Sequence, residues 1–322
     1  MDGAPPCEHV VVTVCTFRRP AGLARLLAAL SAQTLGDLGP CRVDMVIVDN
    51  DPQGSARAVV GATRPLGRPG TYLVEPRPGL AAARNTSVRQ ALDLGATHVA
   101  FIDDDEVPEP GWLAGLLLAA RRTGAGVVTG PVVPVYDARV PAWVRVGGFH
   151  QRPVPRDPDR LTYARTSSAL VAAHLLADDP FDARYGLTGG EDTHLFMRLL
   201  RDGCRIVWEP TAVVHEAVPH ERSHLSWLVA REFRRGSILA RARFDVHGPG
   251  PRVLRTFAGG ALRLAAGLAA LLPSVLAAGR PGGARALRLA AYGAGLLVGR
   301  FPPLQVAAYG DRHLPVDVAG AP

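Results

Sequence analysis

The fold is decided by the stretch HVVVTVCTFRRPAGLARLLAAL, residues 9–30. Its first eight residues are a β-branched apolar run closing on Thr16, the pattern of a strand buried on both faces. A turn with Arg18, Arg19 and Pro20 follows, and then Leu23, Leu26, Leu27 and Leu30 recur at helical spacing. Strand, loop and helix come in that order, and the unit repeats outward. VDMVIVDN (43–50) and TYLVE (71–75) read as strands, Leu80 to Leu94 as a helix, HVAFID (98–103) as a strand and 110–122 as a helix. Such alternation predicts an α/β fold with a doubly wound, mostly parallel sheet. Three of these strands end in Thr16, Asp49 and Asp103, and ligands of such sheets bind beyond the carboxyl ends. Further on, 131–165 is rich in Pro and Arg and reads as loops and short elements. TSSALVAAHLL (166–176) reads as a strand returning to the core, and GGEDTHLFMRLLRDG (189–203) as a helix with Gly203 just past its end. CRIVWEP (204–210) is another strand and 223–243 an Arg-rich helix; there is no internal repeat.

Composition narrows the function. With 48% apolar and 20% charged residues among 322, the chain can bury a sizeable core and is not globally disordered. All 36 basic side chains are Arg, the bias a GC-rich genome produces, and this excludes a Schiff-base or pyridoxal lysine and the lysine of a Walker A loop. The net charge of +7 is uneven: residues 251–322 carry eight Arg against Asp311 and Asp317, leaving about +1 for the rest. A basic tail on a nearly neutral body points to an anionic surface and away from a nucleic-acid groove. Cys7, Cys15, Cys41 and Cys204 have no metal-ligand spacing and read as reduced thiols. The N-terminus lacks the pattern of a signal peptide. The chain therefore divides into a body, 1–250, and an Ala/Leu/Arg-rich helical tail, 251–322. The tail's longest uncharged run, 264–279, is 16 residues long and broken by Pro273, against the roughly 20 needed to span a bilayer. A membrane-surface hairpin over 251–300 is the leading reading; a docked helix pair or dimer interface and true spanning helices are the others. The expected location is the cytoplasm, peripheral on the inner face of the membrane.

Two constellations carry chemistry. Asp103, Asp104, Asp105 and Glu106 close an apolar strand, where like charges repel and burial penalises ionisation. Extended backbone puts Asp103 and Asp105 on one face and Asp104 on the other, a pair suited to Mg2+ or Mn2+ that is also held by substrate phosphates. A solvated acidic turn is the plain alternative. The second is Glu191-Asp192 after two glycines. Asp192 shares a helix face with Leu195, Phe196, Leu199 and Leu200 and is expected to point inward as a general base, or else to cap backbone amides. Glu191 is expected on the polar side with His194, Arg198 and Arg201. Asp49 could accept hydrogen bonds from a base or ribose, or simply form a turn. Arg84 could meet a phosphate or nucleobase, or pair at the surface. His215 could complete a metal site, and Arg231, Arg234 and Arg235 could contact pyrophosphate, although a solvated helix face explains them equally. GAGVVTG (124–130) has the wrong spacing and context for a dinucleotide fingerprint.

In order, VVVTVCTFRRP, VIVDND, RPGLAAARN, FIDDDEVPEPGW, LTGGEDTHLFMRL and IVWEPTAVVHE resemble the family 2 glycosyltransferases of the GT-A fold, over roughly residues 9–220. The resemblance implies a metal-dependent, inverting hexosyltransferase using a nucleotide-diphosphate sugar and a hydroxyl acceptor, lipid-linked or a cell-envelope glycan. It implies a donor half over about 9–130 and an acceptor half over about 131–250. Asp49 matches the base or ribose contact with Thr16 beside it, Arg84 a nucleotide-contacting arginine, Asp103 and Asp105 the D-x-D pair with Asp105 the direct metal ligand, Asp103 and the intervening Asp104 donor contacts, and Asp192 the catalytic base. Cys15 and Arg18 stand where Pro and Asn are common, and His194, expected to face outward, replaces a frequent Asp. The Q-x-x-R-W motif of processive synthases is absent, which implies transfer of single sugars. A nucleotidyltransferase on a similar sheet would show a glycine-rich loop after the first strand, which TFRRPAG lacks. A non-catalytic nucleotide-sugar-binding module would have no need of Asp103, Asp105 and Asp192.

Overall fold

The computed structural model describes residues 8–39, 41–177, 179–299 and 301. The first seven residues, with Cys7, and the last of the basic tail, from 302 on, lie outside them, so the reading of the N-terminal segment is not addressed. The elements of the first half are β1 (Glu8–Thr16), α1 (Pro20–Ser31), β2 (Cys41–Asp49), α2 (Arg57–Gly61), β3 (Thr71–Val74), α3 (Leu80–Asp93), β4 (His98–Asp103), β5 (Glu106–Pro108) and α4 (Trp112–Thr123). Then come β6 (Val127–Thr129), β7 (Val132–Tyr136), α5 (Ala142–Gly147), β8 (Ala169–Ala172), α6 (Glu191–Arg201), β9 (Ile206–Trp208) and β10 (Val214–Val218). Three long helices close the described chain: α7 (Leu225–His247), α8 (Pro251–Ala269) and α9 (Leu271–Val298).

Seven strands form the main sheet in the order β3-β2-β1-β4-β8-β6-β9. All neighbours are parallel except β8, which runs antiparallel to both β4 and β6. Alternate side chains of β1 serve two cores. Val10, Val12 and Val14 meet Leu23, Leu26, Leu27 and Leu30 of α1 together with α4, while Val11 meets Val88 of α3 and Leu195, Phe196 and Leu199 of α6. Each α1 leucine is wholly buried, and Leu27→Ala would cost about 2–5 kcal/mol by leaving a cavity.

Register places the strand ends together. Thr16 lies beside Asp49, and Cys15 beside Asp103, on the carboxyl edge of the sheet. The mixed segment after residue 130 holds more order than its composition suggests. β7 joins β5 and β10 in a second sheet, order β5-β10-β7, which begins three residues beyond Asp103 and roofs that edge.

The tail is packed against the body. Gly236 of α7 meets the backbone of α9 at Tyr292, and Gly295 of α9 meets the backbone of α7 at Phe233, approaches no side chain would allow. α8 folds back on α9 in the same way, with Gly260 against Gly293 and Gly267 against Ala290. α9 breaks at Ala278 and Gly279, and Gly279 takes a left-handed φ of 58°. Among the described residues no single helix is long and apolar enough to cross a membrane; α8 and α9 pass only together, as a pair bent by 74°.

Candidate active site

The acids after β4 do not continue the strand. The chain turns at Asp104 and Asp105 before β5, so the expected strict alternation is lost and arginines reach around it. Asp104 is buried and turns toward β1, where Oδ2 accepts from Thr16 Oγ1 at 2.8 Å and Oδ1 from Arg19 Nη1 at 3.1 Å. Asp105 Oδ2 accepts from Arg19 at 3.1 Å and from Arg222 at 3.0 Å. Glu106 is buried and accepts the Asp103 amide at 2.9 Å, with Arg152 at 3.9 Å and Glu216 behind it. Burial pushes the carboxyls of Asp103 and Glu106 up, and that of Asp104 up to about 6; neighbouring acids add to this while Arg84, Arg19 and Arg152 oppose it. The charge that a cluster of four acids demands is thus met in part by Arg19, Arg84, Arg152 and Arg222, from four distant segments.

Asp103 is the most exposed of them, with 38% of its side-chain surface open to a cleft. The cleft encloses about 180 Å³, and Arg84, Asp103, Ser167, Glu191, Asp192 and Arg234 are among its lining residues. Arg84, in the second turn of α3, is buried; one arm donates to Asp103 Oδ1 at 3.1 Å and the other to Glu191 Oε1. Burial works against its charge, and the anions of Glu191, Asp103 and Asp192 more than restore it. Burial raises the Glu191 carboxyl to about 7, opposed by Arg84.

α6 differs from expectation. Its buried face extends past Leu195, Phe196 and Leu199 to take in Glu191 and His194, which were expected on the polar side. Glu191 is drawn in by Arg84, and His194 stacks on Tyr185 with centroids 5.0 Å apart. Asp192 lies at the cleft end of that face, half-buried instead of pointing inward. Its Oδ1 accepts from the Thr193 amide at 2.6 Å, and Oδ2 has no hydrogen bond among the described residues. Gly189 and Gly190 have φ of 75° and 96°, and a side chain at 190 would strike Ile238 of α7, so the entry to α6 requires glycine.

Other predicted residues are placed away from the cleft. Asp49 has no exposed surface: Oδ1 accepts from the Asp51 amide, and Oδ2 from the Ala56 amide and Tyr72, so it shapes the loop after β2. His215 alternates with Glu216 on β10 and meets Glu109 at 3.0 Å, on the face opposite Glu216 and the acid cluster. Arg235 pairs with Glu232, and Arg231 is stacked on Trp227 at 5.4 Å. Burial first, then Arg165 and Arg235, lowers the Arg231 guanidinium to about 10. Of the three candidate arginines on α7, only Arg234 is among the residues lining the cleft. The roles of Glu191, Arg19, Arg152 and Arg222 do not show in the sequence, because each reaches the site across 46 or more residues of chain and carries no local motif.

Among the described residues no group of three or more His, Cys, Asp or Glu side chains is arranged around a metal position. Asp103, open to the cleft, and Asp105, whose Oδ1 carries no hydrogen bond among the described residues, nevertheless fit a hard cation that draws its other ligands from substrate oxygens and water.

The doubly wound fold is shared with solved structures of low sequence identity. The solved mannosyltransferase PcManGT of Pyrobaculum calidifontis, in complex with GDP-Man and Mn2+, matches 94% of this chain and 90% of its own with a TM-score of 0.61 at 20% identity. Residues 1–349 of S. aureus TarS match 91% of each chain with a TM-score of 0.52 at 16% identity. The chain belongs to glycosyl transferase family 2, whose model matches residues 11–172, and it is a glycosyltransferase. The succinoglycan biosynthesis protein ExoM of Rhizobium meliloti is 38% identical over 232 residues, 71% of this chain and 73% of that protein.

Proposed function

We propose that this enzyme transfers a single sugar from a nucleotide-diphosphate sugar to an acceptor hydroxyl with inversion at the anomeric carbon. The observation that carries the reading is that Asp103 and Asp192, 89 residues apart in the chain, line one cleft. Asp192 takes the proton of the acceptor hydroxyl on Oδ2 while the hydroxyl oxygen bonds to the anomeric carbon. The bond from that carbon to the diphosphate oxygen breaks on the opposite face, and the nucleoside diphosphate leaves with the electron pair. Arg84 fixes Asp103 and, through Glu191, the first turn of α6, so that base and diphosphate site keep one spacing. Arg234 is the diphosphate contact on the α7 side. Asp103 and Asp105 would hold Mg2+ or Mn2+, whose charge would stabilise the departing diphosphate. The GDP-Man and Mn2+ of the mannosyltransferase support that donor class and metal.

The test is a thermal-shift screen of nucleoside diphosphates with and without Mn2+, followed by product analysis with the matching sugar nucleotides. Metal-dependent stabilisation by UDP or GDP and a product of inverted configuration are expected. Stabilisation by nucleoside triphosphates only would overturn the reading in favour of nucleotidyl transfer.

A further inference from the structure

We infer that the α8–α9 hairpin is a docking surface for an anionic lipid bilayer, lying in the plane of the headgroups. At 100° per residue, Leu254, Leu262 and Leu268 fall within about 120° of the α8 circumference, and Arg252, Arg255 and Arg263 occupy the adjoining 80° or so. The leucines are 70%, 70% and 57% exposed, and the stripe runs on to Leu272 and Leu276, at 68% and 79%. The remaining arc of α8, with Val253, Thr256, Gly260 and Gly267, is spent on packing within the molecule. α8 is therefore divided lengthwise into a face used internally, a bare leucine face and an arginine flank.

The charge pattern selects the occupant. No Asp or Glu lies between Asp245 and the end of the described residues, while Arg252, Arg255, Arg263, Arg280 and Arg285 are all exposed. Two copies of so basic a face would repel each other, whereas anionic headgroups beside acyl chains match both the arginine flank and the leucine stripe. α8, about 28 Å long and sharply bent at its junction with α9, is shaped to lie along a surface instead of crossing it. Because α9 is locked to α7, whose Arg234 lines the cleft, a bilayer held here has a fixed orientation to that cleft.

The experiment is flotation of the full chain, without sugar nucleotide, on vesicles of phosphatidylcholine alone and of phosphatidylcholine with phosphatidylglycerol. Binding to the anionic vesicles at least about tenfold tighter than to the neutral ones is expected. Replacing Leu254, Leu262 and Leu268 together by Gln is expected to weaken that binding by about tenfold or more. Replacing Arg252, Arg255 and Arg263 by Gln should abolish the anionic preference, with Tm and donor hydrolysis unchanged in both variants. Absence of binding to anionic vesicles, or binding indifferent to the leucine substitutions, overturns the proposal. So does a dimer in sedimentation velocity that the leucine substitutions abolish while vesicles go unbound. Vesicle binding is independent of turnover, so its failure leaves the proposed reaction standing, and the reverse holds too.

Discussion

The cleft and the α8–α9 hairpin use the same cation in opposite ways. Around the cleft, Arg19, Arg84, Arg152 and Arg222 each face a carboxylate across a long stretch of chain, and Arg84 is buried between two of them. On the hairpin, Arg252, Arg255, Arg263, Arg280 and Arg285 are exposed with no acid on their own helices, and among the described residues only Arg288 pairs with one, Glu232 of α7. Packing differs in parallel. The body fills its core with valine and leucine on a sheet, whereas α7, α8 and α9 approach backbone to backbone over glycine and alanine. One region neutralises itself and positions reacting groups; the other leaves its charge and its leucines for something outside the chain.

The comparison is tested most severely at Asp192. If the cleft's internal pairing exists to leave one carboxylate oxygen available, Asp192→Asn should lower kcat by about 10²–10⁴ while metal-dependent nucleotide affinity stays unchanged. A near-normal kcat would remove Asp192 from the reaction. Arg84→Met comes next. It removes the guanidinium paired with both Glu191 and Asp103, and a stability loss of about 3–5 kcal/mol is expected in urea titration. The double variant Arg84→Met/Glu191→Gln should recover part of that loss. A single variant as stable as the parent would mean that the cleft's arginines are as dispensable as exposed ones.

The sequence makes the main sheet legible because parallel strands buried on both faces are continuous apolar runs: 9–16, 43–50 and 98–103 each match a strand within two residues. The second sheet is hidden because β5, β7 and β10 are three to five residues long, carry Glu106, His215 and Glu216, and owe their form to partners far along the chain. The site divides in the same manner. Asp103 and Asp192 stand out as acids at the ends of apolar elements. The burial of Glu191 does not, because helical periodicity records where apolar side chains go, and Glu191 is drawn inward by an ion pair with a residue 107 positions earlier. His194 likewise follows an aromatic contact that no spacing rule registers.

The glycine seams offer a smaller effect of opposite origin. Gly295→Leu would force α9 away from Phe233 of α7 and should cost about 1–3 kcal/mol by overpacking, read as a shift of the urea midpoint. The same substitution at Gly111, where added atoms meet nothing within 4 Å, should be far milder. Equal losses at the two sites would mean that the helix approach is not tight.

The smallest effect is a pH dependence one residue from the body–tail contact, where Arg288 of α9 donates to the Phe149 carbonyl at 3.4 Å. His150 is buried, stacked on Trp227 of α7 at 5.6 Å, with Nε2 at 3.2 Å from the Arg222 carbonyl. Burial, helped by Arg231 and Arg222 and opposed by Glu216, pulls its pKa down from 6.5 to about 4. Between those values the unfolded chain binds a proton there that the native state refuses, so this contribution is complete above about pH 6.5 and declines as pH falls toward 4. His150→Gln keeps a polar group at the site and removes the titration. Its Tm should therefore decline less between pH 7 and pH 5 than that of the parent, narrowing the gap by about 2–4 °C. A parallel decline in both proteins would place the acid sensitivity elsewhere, among the paired carboxylates such as Glu75, held down to about 2 chiefly by Arg77. The distinction matters to the opening contrast, because it separates a cost of keeping a neutral ring beside the body–tail contact from the charge pairing that belongs to the body alone.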